Sequence, residues 1–163
     1  MAIITEDMRK VIQRAMLSYV ATVCADGSPN LSPKGSLMVY DDDHLIFMNQ
    51  ASPGTIANLR RDPRLEINSI DVFRRRGYRF KGKGRIMPPG DPAYEWLKQK
   101  LIDLNGPQYP AHEAVLIDIE KVLPVFSPVY EWGHASEDDL APTYAARYVK
   151  AAGLTLDDLV AWK

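Results

Sequence analysis

The chain has 163 residues, 46% of them hydrophobic and 25% charged, with a formal net charge of −1. That length suits one domain with its own core, and the near-neutral balance excludes a sequence-independent nucleic-acid binder, whose affinity comes from neutralising phosphates. The single cysteine, Cys24, excludes an internal disulfide and a multi-thiolate metal site. No apolar run approaches the ~20 residues of a membrane span, and the N-terminus shows no signal-peptide pattern, so a cytoplasmic location is expected.

Thr5 is placed to cap a first helix, with Glu6 and Asp7 in its first turn and Met8, Val11, Ile12, Ala15 and Met16 recurring at helical spacing. A strand over 17–24 follows, closed by an Asp26-Gly27 hairpin turn, and 30–40 returns as its partner. Cys24 falls within that apolar strand and is read as a small buried hydrophobe. Past a polar turn containing His44 come an apolar strand over 45–48 and a short helix over about 55–61 that stops before Pro63. Residues 64–72 alternate as another strand. After the turn Arg74-Arg75-Arg76-Gly77, residues 78–87 alternate most cleanly, with Tyr78, Phe80, Gly82, Gly84 and Ile86 on one face and Arg79, Lys81, Lys83 and Arg85 on the other. This cationic face reads as a solvated one. Asp91 caps a helix with Pro92 at its first position and Trp96, Leu97, Leu101 and Leu104 as apolar anchors. A strand over 113–126 completes the β set, and helical patterns recur around 140–152 and 156–162. The expected fold is mainly β (α+β): a six-stranded antiparallel barrel over 1–126 with short flanking helices, and a helical C-terminal extension over 127–163 packed on it.

Two segments leave strands through small, hydroxyl, Pro and Gly residues: Asn30-Leu31-Ser32-Pro33-Lys34-Gly35-Ser36 and Asn49-Gln50-Ala51-Ser52-Pro53-Gly54-Thr55. The second opens a helix, whose free N–H groups and partial positive charge favour an anion, and Lys34 adds a formal charge. Together they suggest a cradle for a phosphate and a flat ring. Ser52 and Thr55 also read as ordinary turn and cap residues, which is compatible with that role. His44 and His112 read as surface loop residues. Asp138-Asp139 and Asp157-Asp158 sit where helix starts favour acids, so no metal site is expected. No nucleophile elbow, Cys/His couple or phosphate-binding Gly-Lys-Ser/Thr loop is present, which leaves hydrolase and nucleotide-triphosphatase readings without support.

The order of helix, Asp-Gly hairpin, Ser-Pro-Lys-Gly strand, apolar strand, Ser-Pro-Gly-Thr helix and Asn58-Leu59-Arg60-Arg61-Asp62-Pro63-Arg64 resembles the pyridoxamine 5′-phosphate oxidase-like FMN-binding split-barrel proteins. The resemblance implies a split barrel, a homodimer with FMN at the subunit interfaces, and flavin-mediated hydride or electron transfer to a small molecule, with a reduced nicotinamide as possible donor. It implies that Pro33, Lys34, Gly35 and Ser36 line the ring and ribityl chain, that Met48 and Asn49 follow on the neighbouring strand, and that Ser52, Pro53, Gly54, Thr55 and Asn58 surround the phosphate. A second phosphate charge is open among Arg60, Arg61, Lys81 and Lys83. Trp132, close to Tyr130 and His134, is a substrate-side candidate or part of a tail packed over the core. The chain lacks the Arg-rich C-terminal signature of true pyridoxamine phosphate oxidases, which argues against vitamin B6 oxidation. Two alternatives keep the barrel: a deazaflavin-dependent reductase using Arg74 to Arg76 for a longer tail, or a non-catalytic flavin- or haem-binding carrier or sensor.

Overall fold

In the computed structural model, which describes residues 3–155, seven strands form one antiparallel sheet in the order β2-β1-β5-β6-β7-β4-β3. The strands are β1 (Ser18–Val23), β2 (Pro29–Lys34), β3 (Met38–Val39), β4 (His44–Asn49), β5 (Arg64–Asp71), β6 (Arg76–Met87) and β7 (Glu113–Phe126). Five helices accompany them: α1 (Glu6–Ala15), α2 (Pro53–Arg61), α3 (Pro92–Asn105), α4 (Val129–Trp132) and α5 (Glu137–Ala151). The helical pattern expected over 156–162 lies outside the described residues. No helix among the described residues is long and apolar enough to cross a membrane.

The segment expected to run unbroken over 30–40 divides in two. Residues 29–34 pair with β1, the chain bends through Gly35, Ser36 and Leu37, and Met38–Val39 pairs with β4. This adds a seventh strand to the six expected. The two strands are consecutive in the chain yet occupy opposite edges of the sheet, and four Cα steps span at most about 13 Å. The sheet must therefore curl until its edges nearly meet, which produces the split barrel.

The interior follows from alternation. Phe47 and Phe80, both fully buried, pack inside the curl with Val20, Ile67, Val115 and Ile117. On the other face of β4, Ile46 and Met48 pack against Leu97 and Leu101 of α3, so β4 is covered on both sides. This accounts for its continuous run Leu45-Ile46-Phe47-Met48. Trp96 meets Tyr40 edge-on at 5.2 Å, whereas Leu104, expected as an anchor, is 68% exposed because it lies past the last turn that reaches the sheet. The inner face of β6 matches the alternation. At Gly82, beside a bulge between Lys81 and Gly82, an added Cβ would stand 2.2 Å from the Asp118 carbonyl oxygen, so only glycine permits the close strand approach.

Thr5 caps α1 through its hydroxyl, and Met16 ends that helix at φ 55° with its side chain exposed rather than on the buried face. A polar latch ties α1, β6 and α5 together. Asp7 accepts two bonds from the Arg76 guanidinium, at 2.9 and 2.6 Å, and one from the Tyr78 hydroxyl at 2.5 Å, while Arg76 also pairs with Glu137 of α5. Phe73 meets Tyr148 of α5 edge-on, and the Tyr130 hydroxyl donates to the Arg74 carbonyl. Hydrogen bonds from Arg76 and Tyr78 hold the Asp7 carboxyl well below the usual carboxylate range. A depressed folded pKa gives stability that is present above the unfolded pKa and is lost as pH falls through the folded one. Asp7→Asn is thus expected to lower the unfolding midpoint in urea at neutral pH, with the difference from wild type narrowing on acidification. A pH-independent difference would show that the carboxylate charge is not what the latch uses.

Candidate functional site

The split in the barrel leaves a cleft of about 270 Å³ where β2 runs out beside the end of β4. One wall is formed by residues 32–36, and the other by Met48 with residues 50–52. Pro33 points outward and cannot donate to a ladder, in keeping with the edge position of β2. Ser36 fixes the bend: its hydroxyl accepts from the Met48 backbone N–H at 3.1 Å, which draws the β2–β3 connection onto β4.

Lys34 dominates the electrostatics of this cleft. Its residue is 5% exposed, and its ammonium donates to the Ser32 hydroxyl at 2.7 Å and the Ser52 hydroxyl at 2.6 Å, with the Phe47 ring 5.4 Å away. Both hydrogen-bond acceptors are neutral, so the cation is buried against hydroxyls and a ring rather than against a carboxylate. Burial pulls its pKa below the ordinary lysine value. Such a group favours an anion delivered from outside.

Ser52 is the N-cap residue of α2 but makes no capping bond with its side chain. Its hydroxyl is engaged elsewhere, with Lys34 and with the Asn49 carbonyl oxygen at 3.3 Å, and its backbone N–H also donates to that oxygen at 3.1 Å. Asn49 lies behind the cleft wall, 6% exposed, and its amide nitrogen donates to Glu113 at 2.8 Å. Arg60 holds the other oxygen of the same carboxylate at 2.9 Å.

The remaining positions singled out in the sequence divide by depth. Pro53 and Gly54 form the exposed first turn of α2. Thr55 and Asn58 are buried beneath the cleft: Asn58 donates to the Thr22 hydroxyl at 3.0 Å, and Asn30 reaches both Thr22 at 3.0 Å and Thr55 at 3.4 Å. Cys24 is half-buried beside Asn58. Of the open cationic candidates, Arg60 joins the site through Glu113, Arg61 donates to the Val23 carbonyl, and Lys81 and Lys83 pair with Glu66 and Glu120 on the barrel exterior. Arg74 and Arg76 are engaged by Asp71, Asp7 and Glu137. Trp132, 74% exposed, lines a separate open groove with Phe126 and Tyr130. His112 is exposed, while His44 is half-buried between Asp41 and Asp118. Asn30 and Ser32 belong to the first of the two segments that the sequence singles out, whereas Glu113 and Thr22 have no such signal, because strand register alone sets Glu113 opposite Asn49 and Thr22 opposite Asn30.

A larger groove of about 650 Å³ runs between α1, β3 and α3 and shares Gly35 with the cleft. Beside it the surface is apolar, with Met16 81% and Leu104 68% exposed, and the outer face of β1 and β2 adds Tyr19 and Leu31.

Comparison with known proteins gives a consistent picture. The pyridoxamine 5′-phosphate oxidase family model matches residues 4–126. HupZ of Group A Streptococcus is 30% identical with a TM-score of 0.68, the match covering 77% of this chain and 96% of HupZ. A candidate pyridoxamine 5′-phosphate oxidase from Lactobacillus delbrueckii is 27% identical with a TM-score of 0.59, covering 73% of this chain and 92% of its own. An FMN-binding protein from Syntrophomonas wolfei, 18% identical with a TM-score of 0.60 and covering 74% of this chain and 90% of its own, shares the fold. No curated protein matches the sequence.

The desolvated cation carries a stability cost that an experiment can read. Because the folded pKa of Lys34 lies below its unfolded value, the penalty is full at low and neutral pH and is relieved as pH rises through the folded pKa. Ligand-free Lys34→Met is expected to be at least as stable as wild type in urea at pH 7, with any advantage shrinking at alkaline pH. A clear loss of stability at neutral pH would instead make Lys34 a structural cation.

Proposed function

The chain belongs to the pyridoxamine 5′-phosphate oxidase family, and we propose that it is an FMN-binding oxidoreductase whose flavin sits in the cleft at the split of the barrel. The observation that carries this reading is the buried Lys34 ammonium, held by two hydroxyls and facing the cleft. A phosphate supplies the counter-charge that this group lacks, and Lys34 with Ser52 would hold it. The residues fit the rest of the cofactor in kind: Met48 gives an apolar wall, and the peptide groups around Gly35 are open to an approaching ring. FMN when bound supplies the hydride or electron chemistry; the chain binds it, orients it and screens one side from water.

The substrate class is a small molecule, with a reduced nicotinamide as the candidate electron donor. Gly35 lines both the cleft and the larger groove, which sets that groove beside the cofactor seat. The exposed Met16, Leu17, Tyr19 and Leu31 beside these sites support a homodimer that covers the ligand at the subunit boundary.

Purified protein is expected to show a flavin absorbance spectrum, and mass spectrometry of the native cofactor to return FMN; a Soret band or a deazaflavin mass would overturn the assignment. Lys34→Met should weaken FMN by about 1–3 kcal/mol in a fluorescence titration, the range for losing a charge-assisted hydrogen bond, and should affect riboflavin much less. Equal affinities of the variant and wild type for FMN would move the phosphate elsewhere.

Light scattering at micromolar concentration is expected to give a dimer. A monomer that binds FMN with full affinity would remove the interfacial site.

A further inference from the structure

A chain of four hydrogen-bonded residues runs from Lys34 through Ser52 and Asn49, behind the cleft wall, to Glu113, and the chemistry of its ends fixes the direction of every link. Lys34 can only donate, so the Ser52 oxygen accepts from it at 2.6 Å. The Glu113 carboxylate accepts, so the Asn49 amide must turn its nitrogen toward Glu113, at 2.8 Å, and its carbonyl oxygen toward Ser52. The Ser52 backbone N–H, also only a donor, meets that same oxygen at 3.1 Å and agrees with this orientation. The Ser52 hydroxyl proton is thereby committed to Asn49, at 3.3 Å, and the lone pairs of its oxygen are turned to Lys34. Arg60 completes the arrangement by holding the second Glu113 oxygen at 2.9 Å.

We propose that Glu113 and Asn49 are positioning residues for the anion seat: Glu113 orients the Asn49 amide, Asn49 orients the Ser52 hydroxyl, and Ser52 with Ser32 holds the Lys34 ammonium so that its remaining N–H serves the ligand phosphate. This rests on the flavin reading above for the identity of the anion, but the relay is a property of the ligand-free protein. It assigns a role to a carboxylate in an anion-binding region, where charge alone would work against the ligand. Glu113 acts as an acceptor that aligns donors, and its charge is offset by Arg60.

The distinction between acceptor and charge defines the test. Glu113→Ala removes the acceptor and the charge, whereas Glu113→Gln removes the charge and keeps a carbonyl oxygen for the Asn49 amide. Titrations with FMN and with riboflavin are compared for wild type, both variants, Asn49→Leu and the Asn49→Leu/Glu113→Ala double variant. The relay requires Glu113→Ala to lose roughly fivefold in FMN affinity, about the effect of one net hydrogen bond, with riboflavin unchanged. Glu113→Gln should stay within about twofold of wild type, and Glu113→Ala should add nothing further once Asn49 is Leu. Tighter FMN binding in both Glu113 variants would make Glu113 a mere repulsive charge, and equal losses for FMN and riboflavin would make it a structural prop; either result overturns the relay. So does an unchanged FMN affinity in Glu113→Ala.

A second readout needs no flavin. In the ligand-free protein, followed by NMR of the lysine side chain, Lys34 should titrate at lower pH in Glu113→Ala than in wild type, with Glu113→Gln restoring the wild-type curve. Identical curves in all three proteins overturn the relay even if FMN binds to wild type. The expected pattern in a protein that does not bind FMN leaves the relay standing and overturns the flavin.

Discussion

The sheet order places β2 and β3 at opposite edges, and only Gly35, Ser36 and Leu37 connect them. A flat seven-stranded sheet would separate those edges by six interstrand spacings of roughly 4.8 Å each, far beyond that reach. Curling is thus imposed by connectivity, and the bond from the Met48 backbone N–H to the Ser36 hydroxyl anchors the connection to β4. The barrel closes through this short bridge rather than through a continuous ladder. Its backbone is accordingly left partly bare where Lys34 enters, and the cleft is a consequence of how the fold closes.

The same closure buries Lys34. On a flat edge strand a lysine would be solvated, but here the curl brings Ser52 at the start of α2 and the Phe47 ring to it. Desolvating an ammonium without a carboxylate is unfavourable for the empty protein and favourable for an arriving anion, so an anion bound there would relieve a cost that the empty fold carries. On the barrel exterior the charges pair in the ordinary way: Arg85 with Asp118, Lys83 with Glu120 and Arg79 with Glu66. These exposed pairs contribute little individually. Lys34, buried against two hydroxyls and a ring, differs from these exposed pairs.

At the far end of β5 and β6, a second polar cluster joins segments distant in sequence. Asp7, Tyr78, Arg76 and Glu137 fix α5 against α1 and the barrel, supplemented by the Phe73–Tyr148 contact and the buried Leu140. This cluster shares none of its members with the cleft. Arg76 and, in the same turn, Arg74 are committed to Asp7, Asp71 and Glu137, so these two serve the docking of α5.

The sequence by itself determined most elements and their faces. Period-two alternation identified β5 as a strand and the inward residues of β6, Asp91 with Pro92 marked the start of α3, and Asp26-Gly27 marked the first hairpin, because these signals depend on neighbours a few positions apart. It also singled out the two Pro- and Gly-containing segments whose ends line the cleft. What it could not determine rests on contacts between distant positions. The break at Gly35 to Leu37 reads locally as more strand and becomes a crossover only because β4, not β1, offers the next free edge. Thr55 and Asn58 look accessible on a helix start, yet Thr22 and Asn30, brought over by the β1–β2 hairpin, enclose them. Glu113 carries no local signal at all. Only the register that sets it opposite Asn49, 64 residues earlier, makes it part of the site, since a hydrogen bond across a sheet is decided by pairing and not by the residues on either side.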